Sequence, residues 1–114
     1  MTDVTGSVTD RFDAIIVGAG QAGPPLASRL TAAGRTVAVI ERKLVGGTCV
    51  NSGCIPTKTL VASAHTAHVA RRAADFGVAA GPVTVDMAKV KSRKDGIVLG
   101  DRRGLEEWLD GMPG

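Results

Sequence analysis

An α/β fold is predicted from three observations: two short β-branched apolar runs, a glycine-rich turn that ends the first of them, and an amphipathic segment between the two. Strand, glycine turn, helix and strand in that order make a βαβ unit, whose crossover is right-handed in nearly all proteins. Beyond it the pattern changes to a loop holding both cysteines, and then to long helical stretches. With 114 residues, 44% hydrophobic and 22% charged, one globular domain is the ceiling.

Each element rests on its own residues. The first strand is read over 12–17, Phe-Asp-Ala-Ile-Ile-Val, a run that stops at Gly18 and suits a buried parallel strand. The helix is read from Leu26 to Ala33, with Leu26 and Leu30 four apart and Gly34 where a left-handed cap is wanted. Residues 36–40, Thr-Val-Ala-Val-Ile, repeat the strand pattern and end at Glu41. A second helix is expected over about 55–75, with Gly77 past its end. Val83, Thr84 and Val85 read as a brief extended piece leading to Asp86, a plausible N-cap. Apolar residues from Met87 to Met112 then recur at helical spacing, with a bend expected near Gly96, Gly100 or Gly104. Residues 1–11 are read as a flexible N-terminal segment and 12–114 as the domain.

Composition excludes several classes. A net charge of +3 and 3% aromatics leave no broad basic surface with interleaved stacking residues, so nucleic acid is not an expected partner. The apolar runs are broken by Gly, Pro or charge, far short of the roughly 20 residues that span a bilayer. Met1 to Asp10 lacks the basic and apolar regions of a secretory signal, and a cytoplasmic location is expected. There, a close cysteine pair is more often catalytic or metal-binding than a structural staple.

Three constellations carry chemistry. Gly18-Ala19-Gly20-Gln21-Ala22-Gly23 is a GxGxxG between a strand and a helix. Its first glycine allows the tight turn, the second lets a pyrophosphate approach the backbone, and the third lets helix and strand pack closely. The helix N-terminus adds unpaired amides and partial positive charge. Glu41, about twenty residues on, is placed to hydrogen-bond a ribose hydroxyl. A lone GxGxxG is also an ordinary glycine turn; strand, helix and terminal acid together point to a dinucleotide and a Rossmann-type unit. Pro24-Pro25 is an irregularity, because the second proline is expected to remove a hydrogen bond and bend the helix.

The second constellation is the run from Gly46 to Lys58, with Cys49 and Cys54 five apart. Two such thiols close a small disulfide if the backbone between them coils, and Gly53 helps that coiling. Pro56 suits a first helical turn, so the cysteines fall near a helix N-terminus, where the dipole favours thiolate. Two unrelated buried thiols are the alternative that spacing alone leaves open. The third constellation, Cys49, Cys54, His65 and His68, approaches a zinc-finger spacing, but its H-x2-H misses the usual H-x3–5-H. No metal site is expected from it, and the histidines read as lying on a solvated or core-edge helix face. The cluster Lys89, Lys91, Arg93 and Lys94 reads as a solvated helix face.

The run Gly47-Thr48-Cys49-Val50-Asn51-Ser52-Gly53-Cys54-Ile55-Pro56-Thr57-Lys58, preceded by the glycine loop and Glu41, resembles the N-terminal region of the class I pyridine-nucleotide disulfide oxidoreductases. That family includes dihydrolipoamide dehydrogenase, glutathione reductase and mercuric reductase; residues 61–64 and 104–109 look most like the last. The resemblance implies a partial Rossmann-type FAD-binding domain, with FAD as cofactor and NAD(P)H as electron donor. Electrons would pass from NAD(P)H through FAD to a Cys49–Cys54 disulfide and on to a small-molecule disulfide or a metal ion such as mercuric ion. Cys54 would lie against the flavin as the charge-transfer thiolate, and Cys49 would be the interchange thiol. Gly18, Gly20 and Gly23 would hold the FAD pyrophosphate, Glu41 its adenosine ribose, Gly47 and Thr48 would line the flavin pocket, and Lys58 would approach the flavin's reactive edge.

Family members are several times longer and homodimeric, with a separate NAD(P)H domain and a C-terminal His-Glu pair. The 114 residues hold one GxGxxG and neither of those parts. An incomplete FAD-binding domain that does not turn over alone is therefore expected, and a noncatalytic thiol or metal-binding remnant is the alternative.

Overall fold

The structure, a computed structural model, describes residues 10–114. The expected flexible segment 1–11 lies almost wholly outside the described residues. Strand β1 (Ala14–Val17), helix α1 (Gly23–Ala32) and strand β2 (Val37–Ile40) form the βαβ unit, with β1 and β2 parallel and Ala14 opposite Val37, Val17 opposite Ile40. Both strands are shorter than their apolar runs. At the start of β1 the flanking residues bond across instead: Asp13 accepts from the Thr36 amide at 2.9 Å and from its hydroxyl at 3.2 Å.

Helix α1 begins three residues before its expected start, and the proline pair explains how. The first amide to bond inside it is Leu26, to the Ala22 carbonyl at 3.2 Å, so Pro24 and Pro25 occupy first-turn positions whose amides have no intrahelical acceptor. The expected lost hydrogen bond does not arise, and Pro24 is the largest fully buried side chain among the described residues. The C-terminus closes as a Schellman motif: Arg35 donates to Leu30 at 3.0 Å, Gly34 to Thr31 at 2.9 Å, and Gly34 takes φ +75°.

The segment expected to be a loop holding both cysteines contains a five-residue helix, α2 (Gly47–Asn51), and the next helix, α3 (Cys54–Arg71), starts on Cys54 itself. Helix α3 ends four residues before its expected limit and continues as a 3₁₀ turn over Ala73–Phe76, closed by Gly77 at φ +76°. Residues 83–85 join no sheet. Asp86 caps α4 (Met87–Asp110) as expected, accepting from Ala88 at 3.0 Å and Lys89 at 3.1 Å. Helix α4 runs through Gly96, Gly100 and Gly104 without interruption over 24 residues. It packs along α3 and reaches α1 and α2.

The described residues are far from compact. Their radius of gyration is 22.0 Å and their extents are 76 × 41 × 18 Å, against roughly 13 Å for a compact 100-residue domain. The buried apolar residues are small in number and size: Ala19, Ala27, Val50 and Val98. β1 is not the fully buried strand expected, because Ile15 and Val17 stand exposed on one face of the sheet while Ala14 and Ile16 are half-buried. None of the helices is long and apolar enough to cross a membrane among the described residues.

Candidate functional site

The glycine loop, the end of β2 and the cysteine segment meet at one residue. Ala19 is wholly buried; its amide donates to Oε2 of Glu41 at 3.0 Å, and its carbonyl accepts from the Gly46 amide at 2.7 Å. Gly18 also donates to the Ile40 carbonyl at 2.7 Å, tying the loop to the end of β2. Nothing in the sequence distinguished Ala19, an alanine inside a glycine motif; its role comes from three chain segments converging in space.

Two glycines there are fixed by contact. A Cβ on Gly23 would lie 2.2 Å from the Gly18 carbonyl oxygen, and one on Gly47, which takes φ +59°, would lie 2.9 Å from the Gly20 Cα. Gly23 therefore lets α1 start against the turn out of β1, as the motif argument requires, and Gly47 lets α2 dock onto the glycine loop. Gly20 differs: a Cβ there would meet nothing within 4 Å. The open space is a crevice of about 290 Å³ bounded by Gly18, Gly20, Gln21, Gly23 and Leu26. It opens at the N-terminus of α1, where the amides of Gln21, Ala22 and Gly23 have no backbone acceptor among the described residues. Such a terminus favours an anion.

Glu41 stands directly after β2, as expected. Its Oε1 accepts from the Lys43 amide at 2.9 Å while Oε2 holds Ala19. The Ala19 hydrogen bond first, and the Lys43 bond second, hold its carboxyl below the usual glutamate range. An ionised carboxylate with free lone pairs thus stands beside the loop, an acceptor that fits ribose hydroxyls, while the amides at the start of α1 fit a pyrophosphate.

Cys49 and Cys54 are free thiols, Cys49 half-buried in α2 and Cys54 exposed at the first turn of α3. They are near enough for the Cys54 side chain to be the first influence on the Cys49 thiol. The Cys49 thiol is pushed up, chiefly by its side-chain hydrogen bond to Cys54, then by desolvation, while the Cys54 backbone amide at the start of α3 and, after it, Lys58 pull the other way. For Cys49 the net shift runs against the expected thiolate, although the amide at the α3 N-terminus still favours it. Cys49 is the third residue of a one-turn helix, and the neighbouring sulfur favours its protonated form. Gly53 permits the approach, since a Cβ there would sit 2.9 Å from the Thr48 carbonyl oxygen. Thr48 is exposed on α2, and Lys58 is exposed one turn after Cys54 on α3. Beside Cys49 lies a hollow of about 410 Å³ lined by Gln21, Val50, Ile55, Gly100 and Gly104, and the two glycines of α4 leave it room.

The histidines are apart from this chemistry. His65 and His68 stack on exposed α3 with ring centroids 6.4 Å apart, and no group of three His, Cys, Asp or Glu suited to a metal ion occurs among the described residues. The basic cluster is more engaged than a solvated face. Lys89 pairs with Asp86, and Lys91 and Lys94 pair with Asp95. Arg93 donates to the Thr59 carbonyl of α3 at 3.1 Å. Sequence reading also missed Asn51 and Arg102, which bond at 2.7 Å across 51 residues of chain.

Known proteins resemble this chain in sequence and fold. The family description "Pyridine nucleotide-disulphide oxidoreductase" matches residues 12–105. Dihydrolipoyl dehydrogenase 2 of Haloarcula marismortui is 42% identical over 103 residues, which is 90% of this chain and 22% of the relative. The dihydrolipoyl dehydrogenase of Geobacillus stearothermophilus is 35% identical over 108 residues, 95% of this chain and 23% of the relative. Among solved structures, the HOCl-induced flavoprotein disulfide reductase RclA of Escherichia coli, as a Cu(II) complex of a variant, superposes with a TM-score of 0.70 at 36% identity. That match covers 92% of this chain and 20% of RclA. The chain thus spans about a fifth of the length of these relatives. With the glycine loop, Glu41 and the dithiol segment all inside the matched residues, the chain belongs to the pyridine nucleotide-disulphide oxidoreductase family.

Proposed function

We propose that the chain is the FAD-binding, dithiol-carrying part of an NAD(P)H:disulfide oxidoreductase. One observation carries the reading: the cysteine segment is docked on the nucleotide loop, through the 2.7 Å bond from Gly46 to Ala19 and the close approach of Gly47 to Gly20. A thiol pair unrelated to a bound nucleotide has no reason to share its backbone with the phosphate loop.

When bound, FAD supplies the chemistry that accepts a hydride from NAD(P)H and hands on an electron pair. The chain's own residues then have distinct tasks. Gly18, Gly20, Gly23 and the free amides of α1 hold the pyrophosphate, and Glu41 takes the ribose. Gly47 and Thr48 border the flavin, with Lys58 near it. Cys54 is the flavin-side sulfur and Cys49 the exchanging one. Two electrons and two protons convert their disulfide to two thiols; Cys49 then attacks an acceptor disulfide, and Cys54 displaces it from the mixed disulfide. Because the Cys54 hydrogen bond keeps the proton on Cys49, that proton must leave before attack. Mercuric ion is the alternative acceptor, suited to soft thiolates. A reducing, cytoplasmic setting goes with a pair that cycles.

The reading includes an incomplete FAD domain within a homodimeric enzyme. It is supported by the 22.0 Å radius of gyration and by apolar side chains standing exposed along the long helices, among them Leu60, Val61, Val69 and Leu99. The test combines flavin absorbance with turnover. The purified 114-residue protein is expected to take up FAD weakly and turn yellow. FAD-saturated, it is expected to oxidise NAD(P)H with a disulfide or Hg(II) no faster than free FAD, with Cys54→Ala as control. Colourless protein carrying stoichiometric zinc would instead identify a metal-binding remnant. Turnover well above free FAD that vanishes in Cys54→Ala would refute the incompleteness.

A further inference from the structure

We propose that Asn51 and Arg102 form a brace that sets the redox equilibrium of Cys49 and Cys54; the inference rests on reading these thiols as a redox pair. Asn51 lies between the two cysteines in sequence, and both polar atoms of its side chain are engaged. Its Nδ2 donates to the Val45 carbonyl and to the Gly47 carbonyl, both at 2.9 Å. Its Oδ1 accepts from Arg102 Nε on α4 at 2.7 Å. The carboxamide therefore closes residues 45–51 into a ring that contains Cys49 and anchors that ring to a different helix.

The ring needs an anchor. A helix of five residues such as α2 has no stability of its own, because nucleating a turn costs more than so few hydrogen bonds return. Three external ties hold α2 in place: the Gly46 bond to Ala19, the contact of Gly47 with Gly20, and the Asn51–Arg102 bond. The first two fix its beginning, and the third, beside the buried Val50, fixes its end, the side from which the chain turns through Gly53 to Cys54. A bond from a charged donor at this length is among the stronger kind. It determines how much of the time Cys49 stands within reach of Cys54.

The consequence is a shift in an equilibrium. In exchange with glutathione, Cys49–SH, Cys54–SH and one glutathione disulfide give the Cys49–Cys54 disulfide and two glutathione thiols, so two electrons and two protons pass to glutathione. The constant for this reaction rises with the effective concentration of one protein thiol at the other. Loosening the brace dilutes Cys49 around Cys54 and makes the disulfide easier to reduce. The hydrogen bonds of Asn51 and Arg102 do not reach the reacting sulfurs, so both are positioning residues.

The experiment equilibrates the 114-residue protein in glutathione buffers of stepped ratio, quenches with acid and counts free thiols by mass after alkylation. Arg102→Met is expected to lower the disulfide constant about tenfold, a rise in potential of about 30 mV. Asn51→Ala, which also removes the bonds to Val45 and Gly47, should lower the constant at least as far, and the double variant should go no further than Asn51→Ala, since the Arg102 bond is already cut in it. Arg93→Met removes a different tie between α4 and α3, the bond to Thr59, and should stay within twofold of the unaltered protein. Should Arg102→Met lose helix content, Arg102→Lys, which keeps the charge but not the Nε–H, carries the same expectation of a lowered constant. An Arg102 variant within twofold of the unaltered protein, or an equal shift in Arg93→Met, would overturn the brace. Failure of the unaltered chain to form any internal disulfide would defeat the redox-pair reading itself, and the brace with it.

Discussion

Replacing Gly23 and Gly20 in turn by alanine separates what the glycine loop does for the fold from what it does for a ligand. At Gly23 the new methyl would sit 2.2 Å from the Gly18 carbonyl oxygen and 3.6 Å from Ile16 Cγ2. An ordinary carbon–oxygen contact is about 1 Å longer, so either the start of α1 or the turn after β1 must move by that amount. Both are backbone, and the turn is held by the Gly18 bond to Ile40, so the strain has no flexible side chain to absorb it. Overpacking of this kind costs about 1–3 kcal/mol, and a backbone collision belongs at the upper end. At Gly20 the same methyl meets nothing within 4 Å, so Gly20→Ala should leave stability within about 0.5 kcal/mol of the parent while filling the crevice meant for pyrophosphate. Urea unfolding followed by far-ultraviolet circular dichroism measures the first quantity, and quenching of flavin fluorescence on titration measures the second. The expected result is a lower urea midpoint for Gly23→Ala alone, and a loss of FAD affinity of tenfold or more for Gly20→Ala without a stability change. Equal midpoints for Gly23→Ala and the parent, or unimpaired FAD uptake by Gly20→Ala, would refute the assignment of the two glycines.

Two further expectations concern titration. Glu41 has its carboxyl lowered from an ordinary value near 4.5 by the Ala19 and Lys43 amides. A depressed acid stabilises the fold above its unfolded value and loses that contribution as pH falls through the folded one, so stability should decline below about pH 4.5; Glu41→Gln should flatten that part of the pH profile, and an unchanged slope would count against the Ala19 bond. Cys49 is shifted the other way, upward from 9.0 by Cys54, so its contribution is present below pH 9.0 and is lost as pH rises through the folded value. Cys54→Ala removes the partner sulfur and should speed alkylation of Cys49 by iodoacetamide at pH 8 to 9; a slower or identical rate would show that the hydrogen bond does not hold the proton there.

Much of this protein is determined by short-range pattern. The βαβ unit, the Gly34 cap, the Asp86 cap and the position of Glu41 follow from residues within a few positions of each other, because strand alternation, capping and glycine turns are local physics. The spacing of Cys49 and Cys54 likewise confined them to one small loop, and the family resemblance of residues 47–58 gave that loop its chemistry. What lay beyond local pattern was decided by tertiary contact. Helix α2 forms inside the expected loop because Gly47 rests on Gly20 and Asn51 on Arg102, partners 27 and 51 residues away. Pro25 does not bend α1 because the helix starts at Gly23, close against the Gly18 turn, which moves both prolines into a first turn without intrahelical acceptors. Cys49 is pushed up because the Cys54 side chain outweighs the amide at the start of α3, a balance set by how the two helices meet. Ala19 and Arg102 are chemically ordinary in sequence. They matter because the fold brings three segments to one and the dithiol helix to the other, and only a pairing across the whole chain contains that information.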